Sequence, residues 1–134
     1  MNDIDGSMSL ELVVLAPVVA LFGVLGLGLG RYEIVRAQVL GAAHSSAEAA
    51  AVSPVATAAP SAAEAVAGPI LKADSHSCPT PEVVTDTSAF VAGGSVAVTV
   101  TCSVPLSDLV PVLPGSLTVS GASSVPIDSY RSIG

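Results

Sequence analysis

The sequence predicts an α+β chain: a long N-terminal helix with a membrane-spanning part, followed by a small antiparallel β-domain closed by one disulfide. Three observations predict it. Residues 12–30, LVVLAPVVALFGVLGLGLG, contain no charged or strongly polar side chain. Residues 31–52, RYEIVRAQVLGAAHSSAEAAAV, continue with strong helix formers up to the stop at Pro54. Ser95 to Cys102 alternates as a strand does, with Val96, Val98, Val100 and Cys102 on one face and Ala97, Thr99 and Thr101 on the other.

The apolar run is as long as a bilayer core requires of a helix. It is apolar all round, which suits lipid or a filament interior better than a globular surface. Pro17 is tolerated in such a helix with a kink or a loosened hydrogen bond. In the continuation, Glu33 and Arg36 are spaced for an i,i+3 pair, and His44 reads as a solvated surface residue. A helix from about Ser9 to Val52 is roughly 65 Å long at ~1.5 Å per residue, about twice the hydrocarbon thickness. Half of it must therefore project into solvent or pack along a neighbour.

These breaks divide the chain into a leader over 1–6, the long helix over 7–53, a Pro/Ala-rich linker over 54–69 and a β-domain over 70–134. In the linker, Ser61-Ala62-Ala63-Glu64 has the form of a capping box and Gly68-Pro69 has the form of a helix stop, which together predict a short helix over Ala62 to Ala67. In the β-domain, Gly93-Gly94 marks a turn before the alternating strand. Glu82 to Thr87 and Ala89 to Val91 are candidates for its partner, and Leu117 to Ser120 and Val125 to Ile127 are further short strands. Leu106 to Val110 is predicted as one helical turn, capped by Ser107 and ended before Pro111. The sum is a sheet of about three or four strands.

The 134 residues allow one modest domain. Aromatic residues are 3% of the chain and Trp is absent, so the part outside the apolar run buries little core and needs a staple or a partner. Cys78 and Cys102 are the only cysteines. Beyond a membrane segment, in an oxidising compartment, they read as one disulfide on the core side of the sheet, the alternative being two buried thiols. Such a bridge contributes about 3 kcal/mol on the chain-entropy estimate. Net charge is −7 with four scattered basic residues, Arg31, Arg36, Lys72 and Arg131, which disfavours nucleic acid as a partner.

The chemistry-bearing stretch is the start, MNDIDGSMSLE. Gly6 is followed five residues later by Glu11, and the apolar run begins at once. Glycine at a cut site lets an extended backbone enter a narrow protease cleft. A carboxylate at the edge of an apolar helix costs about 2.5–3.5 kcal/mol at the helix centre on insertion scales and less near the interface, unless it is paired. The simpler account of Glu11 is a helix-start carboxylate favoured by the macrodipole.

No other constellation carries chemistry. Gly23, Gly26, Gly28 and Gly30 lie in an apolar helix and not in a strand-to-helix turn, so they are no nucleotide loop. Gly26 and Gly30 have the GxxxG spacing that permits close helix contact, and the four glycines equally soften the helix at its exit from the bilayer. Asp74-Ser75-His76 contains the residue types of a hydrolase triad, but contiguous residues do not converge on one point. His76 with Cys78 supplies two metal ligands, short of a site. The sequence therefore reads as a non-enzyme without a cofactor or metal.

The segment Gly6-Ser7-Met8-Ser9-Leu10-Glu11 resembles the type IV prepilin signature: a short leader ending in Gly, and Glu at the fifth position of the mature chain. The start SMSLELVVLAPVVALFGVLGLGLGRY and the tail FVAGGSVAVTVTCSVPLSDLVPVLPGSLTVSGASSVPIDSYR resemble the TadE-like family of minor pilins and pseudopilins. The tail carries that family's Gly-Gly turn, Val/Thr strand ending in Cys, Val-Pro-Leu segment, Pro-Gly turn and closing Pro-x-Asp-x-Tyr-Arg. The resemblance implies a pilin-type helix, cleavage between Gly6 and Ser7 by a prepilin peptidase, and a place in a tight-adherence (Flp-type) type IV pilus system. Partners are then other pilin subunits through the N-terminal helix, the peptidase, the pilus assembly machinery and membrane lipid. Glu11 is expected to pair with the new Ser7 ammonium of a neighbouring subunit.

The leader departs from the pattern: Asp3 and Asp5 make it acidic where prepilin leaders are usually basic. Arg31 and Arg36 would place the C-terminus in the cytoplasm under the positive-inside rule. The cleavage motif and the disulfide require the opposite, and the expectation is a single-pass chain with its C-terminal domain outside the cytoplasm. The competing function is a generic membrane-anchored protein whose outer domain binds an envelope partner.

Overall fold

A computed structural model of the chain describes residues 2–73 and 78–133, with side chains described from Met8 onward. The elements in order are α1 (Asn2–Ala51), a 3-10 turn (Ala56–Ala58), α2 (Ala59–Lys72), β1 (Glu82–Asp86), β2 (Ser95–Pro105), α3 (Leu106–Leu109, a single turn) and β3 (Ser116–Pro126). The strands form one antiparallel sheet in the order β1-β2-β3. The second half of α1 and all of α2 cover one face of the sheet, while the first half of α1 extends away from it. This is the α+β class that the sequence predicts, at the lower strand number.

Helix α1 runs 50 residues, roughly 75 Å, and starts seven residues before the expected Ser9. No proline precedes Pro17, and Gly6 is the only strong helix breaker ahead of it, so the leader continues the helix. Pro17 lies inside the helix without ending it. From Met8 to Leu29 nearly every side chain is exposed. From Val35 onward a stripe closes onto the domain: Val35, Val39, Ala42, Ala43, Ser46, Ala47 and Ala50 are buried at helical spacing. Residues that the sequence left in solvent or against a neighbour therefore pack on the chain's own domain.

Helix α2 presents the matching stripe, with Ala59, Ala63, Ala67 and Leu71 buried at every fourth position. Alanine faces alanine across this pair, which lets the two helices approach closely. Helix α2 is longer than the predicted Ala62 to Ala67, and its start differs. Pro60 occupies the first turn, where its missing N–H costs nothing. Ser61 is no N-cap: its Oγ donates to the Ala58 carbonyl at 2.9 Å. The helix also runs through Gly68-Pro69. Burial of Leu71 in line with the alanines outweighs the local preference to stop.

Strand β2 turns Val96, Val98, Val100, Cys102 and Val104 inward, all buried. Full burial of each valine contributes roughly 1.5–3 kcal/mol relative to exposure. Strand β1 pairs with its first half, Val83 opposite Val100 and Thr85 opposite Val98. Ala89 to Val91, a candidate strand by sequence, instead forms a tight turn. The Ser88 N–H donates to Asp86 Oδ1 at 2.9 Å and lowers that exposed carboxyl's pKa, and the Gly94 N–H donates to the Val91 carbonyl at 2.8 Å. Its product is a buried Phe90.

Strand β3 is one continuous strand, where the sequence suggested Leu117 to Ser120 and Val125 to Ile127 as separate pieces. It pairs with β2 along its whole length, from Pro105 opposite Ser116 to Ser95 opposite Pro126. Its inward positions are Leu117, Val119, Gly121, Ser123 and Val125. Gly121 lies directly under α1: a Cβ there would stand 3.2 Å from the backbone N and Cα of Leu40. Glycine is what allows helix and strand to touch. Ser123 Oγ lies 3.1 Å from His44 Nδ1, and His44 Nε2 lies 3.3 Å from Glu48 Oε1, so His44 bridges helix and sheet from an exposed position. Glu33 and Arg36 stand 3.9 Å apart on the surface, a pair of little consequence for stability.

Cys78 and Cys102 form a disulfide with Cα atoms 5.5 Å apart, buried on the inner face of the sheet. It ties the segment leading into β1 to the middle of β2.

Candidate membrane insertion and assembly segment

The bare half of α1 is the feature that the fold leaves unexplained. Among the described residues one helix is long and apolar enough to cross a membrane, and it is this one. Leu10, Leu12, Val13, Phe22, Leu27 and Leu29 are each about 70% exposed, and they point in all directions around the axis. Water does not tolerate such a surface at this length, so lipid or other helices must cover it. Glu11 and Arg31 bracket the run. They stand twenty positions apart, about 30 Å along a helix, which is the hydrocarbon thickness of a bilayer.

Gly6 and Ser7 fall within the helical backbone, and their side chains lie outside the described ones. The expected cut therefore lies in the helix and not in an extended leader. Glu11 follows Ser7 by one turn and is exposed. Among the described residues it has no hydrogen-bond or ion-pair partner within the chain, and its immediate neighbours Leu10 and Leu12 are apolar.

At the other end of the run, the domain folds back onto the helix. The connection between β2 and β3 reaches down α1, so that Leu106, Leu109 and Val110 lie against Leu25, Gly28, Leu29 and Tyr32 around an open apolar crevice of about 320 Å³. A Cβ on Gly28 would stand 3.0 Å from Val110 Cγ2. Among the four helix glycines, Gly28 is the one seated against the domain, while Gly23, Gly26 and Gly30 face open space. Arg31 Nη1 donates to the Asp108 carbonyl at 2.7 Å and fastens α3 to the helix. The helical turn expected at Leu106 to Val110 is present, but Ser107 makes no capping bond and Pro105 stands at the N-cap.

The helix is also held at its far end. Arg131 donates from its guanidinium to the carbonyls of Ala51 and Val52, and to that of Ser53 at 2.8 Å. Ala51 is the last residue of α1, whose carbonyl the helix leaves without an intrahelical partner, and Val52 and Ser53 follow it directly, so the positive charge meets the negative end of the macrodipole. The closing Pro126-Ile127-Asp128-Ser129-Tyr130-Arg131 supplies the aim. Buried Ile127 anchors the segment, and Asp128 Oδ1 accepts the Tyr130 N–H at 3.0 Å in a local turn. The sequence contained this signal in its final motif, but nothing in the motif names the helix end as its target.

Asp74, Ser75 and His76 lie outside the described residues, and Cys78, paired with Cys102, is not a free ligand. Among the described residues no three His, Cys, Asp or Glu side chains gather as a metal site would require. Set against known protein families, curated proteins and solved structures, the chain matches none.

Proposed function

We propose that this chain is a TadE-like minor pilin or pseudopilin of a tight-adherence (Flp-type) type IV pilus system, a structural subunit and not an enzyme. One observation carries the proposal. The Gly6-to-Glu11 spacing leads directly into a helix whose first half is bare and apolar, while its second half is clasped by the chain's own small disulfide-bonded domain. A pilin needs this division. The bare half is held in lipid before assembly and exchanges lipid for the helices of neighbouring subunits afterwards, while the domain stays fixed to the helix throughout.

In this reading prepilin peptidase cuts between Gly6 and Ser7. Glycine is about 1 kcal/mol poorer than alanine in a helix, and the site lies in the terminal turns, so local unwinding at Gly6 is inexpensive. The Ser7 ammonium of one subunit then pairs with Glu11 of the next, which removes the cost of an unpaired carboxylate in an apolar setting and fixes axial register. The domain faces the oxidising side of a cell membrane, as its disulfide requires, and reaches the extracellular pilus on assembly. Partners are other pilin subunits, the peptidase, the assembly machinery and lipid.

The test is the intact mass of the protein extracted from membranes of cells that contain the peptidase. The expected mature chain begins at Ser7. A chain that retains residues 1–6 in such cells would leave a single-pass membrane protein binding an envelope partner as the better account.

A further inference from the structure

We propose that the tip of the β2–β3 connection, Leu109 to Pro114, is a second lipid contact that enters the interfacial layer of the bilayer beside α1. The inference rests on the reading of α1 as membrane-spanning.

Depth is the first argument. Leu109 and Pro111 lie beside Val24 and Leu27 in a crevice whose polar side is formed by Arg31, Ser107 and Asp108, and Val110 lies on Gly28. These helix positions are three to seven residues on the membrane side of Arg31, about 5 to 10 Å below it along the axis. Apolar segments that lie in the headgroup and acyl boundary reach this depth. With α1 in a bilayer, the tip has no route around the lipid.

Composition is the second. The tip reads Leu-Val-Pro-Val-Leu-Pro without a charge, and its outermost side chains are apolar: Val112 is 86% exposed and Leu113 is 49% exposed. The outer face of the sheet, also exposed, carries Thr99, Ser103, Thr118 and Ser120 instead. The contrast lies within one hairpin, polar where it stands clear of the helix run and apolar where it lies beside it.

Backbone accounting is the third. Unpaired N–H groups keep a loop out of the hydrocarbon core. Here the Val110 N–H donates to the Leu106 carbonyl at 2.8 Å and the Leu113 N–H to the Val110 carbonyl at 3.1 Å, while the Val112 N–H has no backbone partner among the described residues and is left to the water and headgroups of the interfacial layer. Pro111 and Pro114 have no N–H to satisfy. At the rim, Arg31 and the Asp108 carbonyl hold the polar boundary, with the arginine stem along the apolar surface and its head at headgroup level.

The chain contains no Trp, so a single introduced Trp reports its own surroundings. Val112→Trp, Phe22→Trp and Thr99→Trp variants of the full chain are reconstituted in phosphatidylethanolamine/phosphatidylglycerol vesicles with acyl chains brominated near the headgroup or near the terminal methyl. The expected result is strong quenching of Val112→Trp by shallow bromine, strong quenching of Phe22→Trp by deep bromine, and none of Thr99→Trp. Quenching at Phe22→Trp without quenching at Val112→Trp overturns the lipid contact and leaves α1 in the membrane. Blue-shifted but unquenched Val112→Trp emission also overturns it, in favour of a contact between copies of the chain. Absence of quenching at Phe22→Trp removes the membrane assignment and this inference with it.

Discussion

Arg131 donates to the carbonyl of Ser53 at 2.8 Å and so ties the last residues of the chain to the end of its first helix, 78 positions away in sequence. The last turn of α1 contains no basic residue of its own. The tail supplies the missing charge and at the same time closes the domain over the helix. Hydrogen bonds from a charged donor contribute about 1.5–3 kcal/mol each, less where solvent reaches them. Arg131→Gln is expected to destabilise the domain by about 1–3 kcal/mol in denaturant titration of the full chain in detergent. Arg131→Lys recovers only part of the loss, because an ammonium does not span three carbonyls as a planar guanidinium does. Equal stability of Arg131→Gln and the parent chain would show that the clasp contributes nothing.

Gly121 carries the contact between α1 and β3. An added methyl meets Leu40 Cδ2 at 3.0 Å and the Leu40 backbone N and Cα at 3.2 Å; the side chain can turn aside, but the helix backbone cannot. Gly121→Ala is therefore expected to cost about 1–3 kcal/mol, the range for overpacking a well-filled site. The neighbouring Ala122 points outward and is exposed, so Ala122→Thr stays within about 0.5 kcal/mol of the parent chain. Thermal unfolding of the two variants side by side separates a steric role of Gly121 from a general sensitivity of the strand.

The same residue explains where the sequence was legible and where it was not. Strand β2 is plain in the sequence because its inward positions are all apolar. Strand β3 reads as two pieces because its inward positions include Gly121 and Ser123, which face a helix backbone and a histidine on α1 that only the tertiary structure brings near. Gly68-Pro69 reads as the end of α2 because the burial of Leu71, which carries the helix onward, is a tertiary fact. The run of apolar side chains over 12–30 marks the bare half of α1 directly, whereas the Gly6-to-Glu11 segment stands out only by its spacing and its resemblance to prepilins. Neither shows which glycine faces the domain, and Gly28 differs from Gly26 and Gly30 only through Val110.

The disulfide staples a core that contains few large side chains. The bridge closes a loop between positions 24 apart, and its loss is expected to cost about 3 kcal/mol. A Cys78→Ala/Cys102→Ala double variant should unfold at lower denaturant concentration by that amount. Both sulfurs are buried, so alkylation of the native chain after brief mild reduction should be slow compared with the unfolded chain. Rapid labelling of the native chain would place the bridge at the surface and contradict the packing.

Glu11 gives the sharpest test of the proposed assembly role, because removing its charge has opposite effects on two steps. Membrane insertion becomes easier when a carboxylate at the edge of an apolar run is neutralised. Pairing with a neighbour's ammonium becomes weaker, since a neutral amide attracts a cation far less than a carboxylate does at low dielectric. Glu11→Gln is therefore expected to accumulate in the membrane at parent levels or above, with normal removal of residues 1–6. Its yield in sheared surface filaments should fall by an order of magnitude or more, since the loss of about 1.4 kcal/mol corresponds to tenfold in an equilibrium. Glu11→Asp keeps the charge but shortens the reach, and should assemble at an intermediate level. A carboxylate that only decorates the helix predicts a different pattern: with α1 starting at Asn2, Glu11 lies beyond the first turn and out of reach of the macrodipole, so Gln leaves both helix stability and filament yield unchanged.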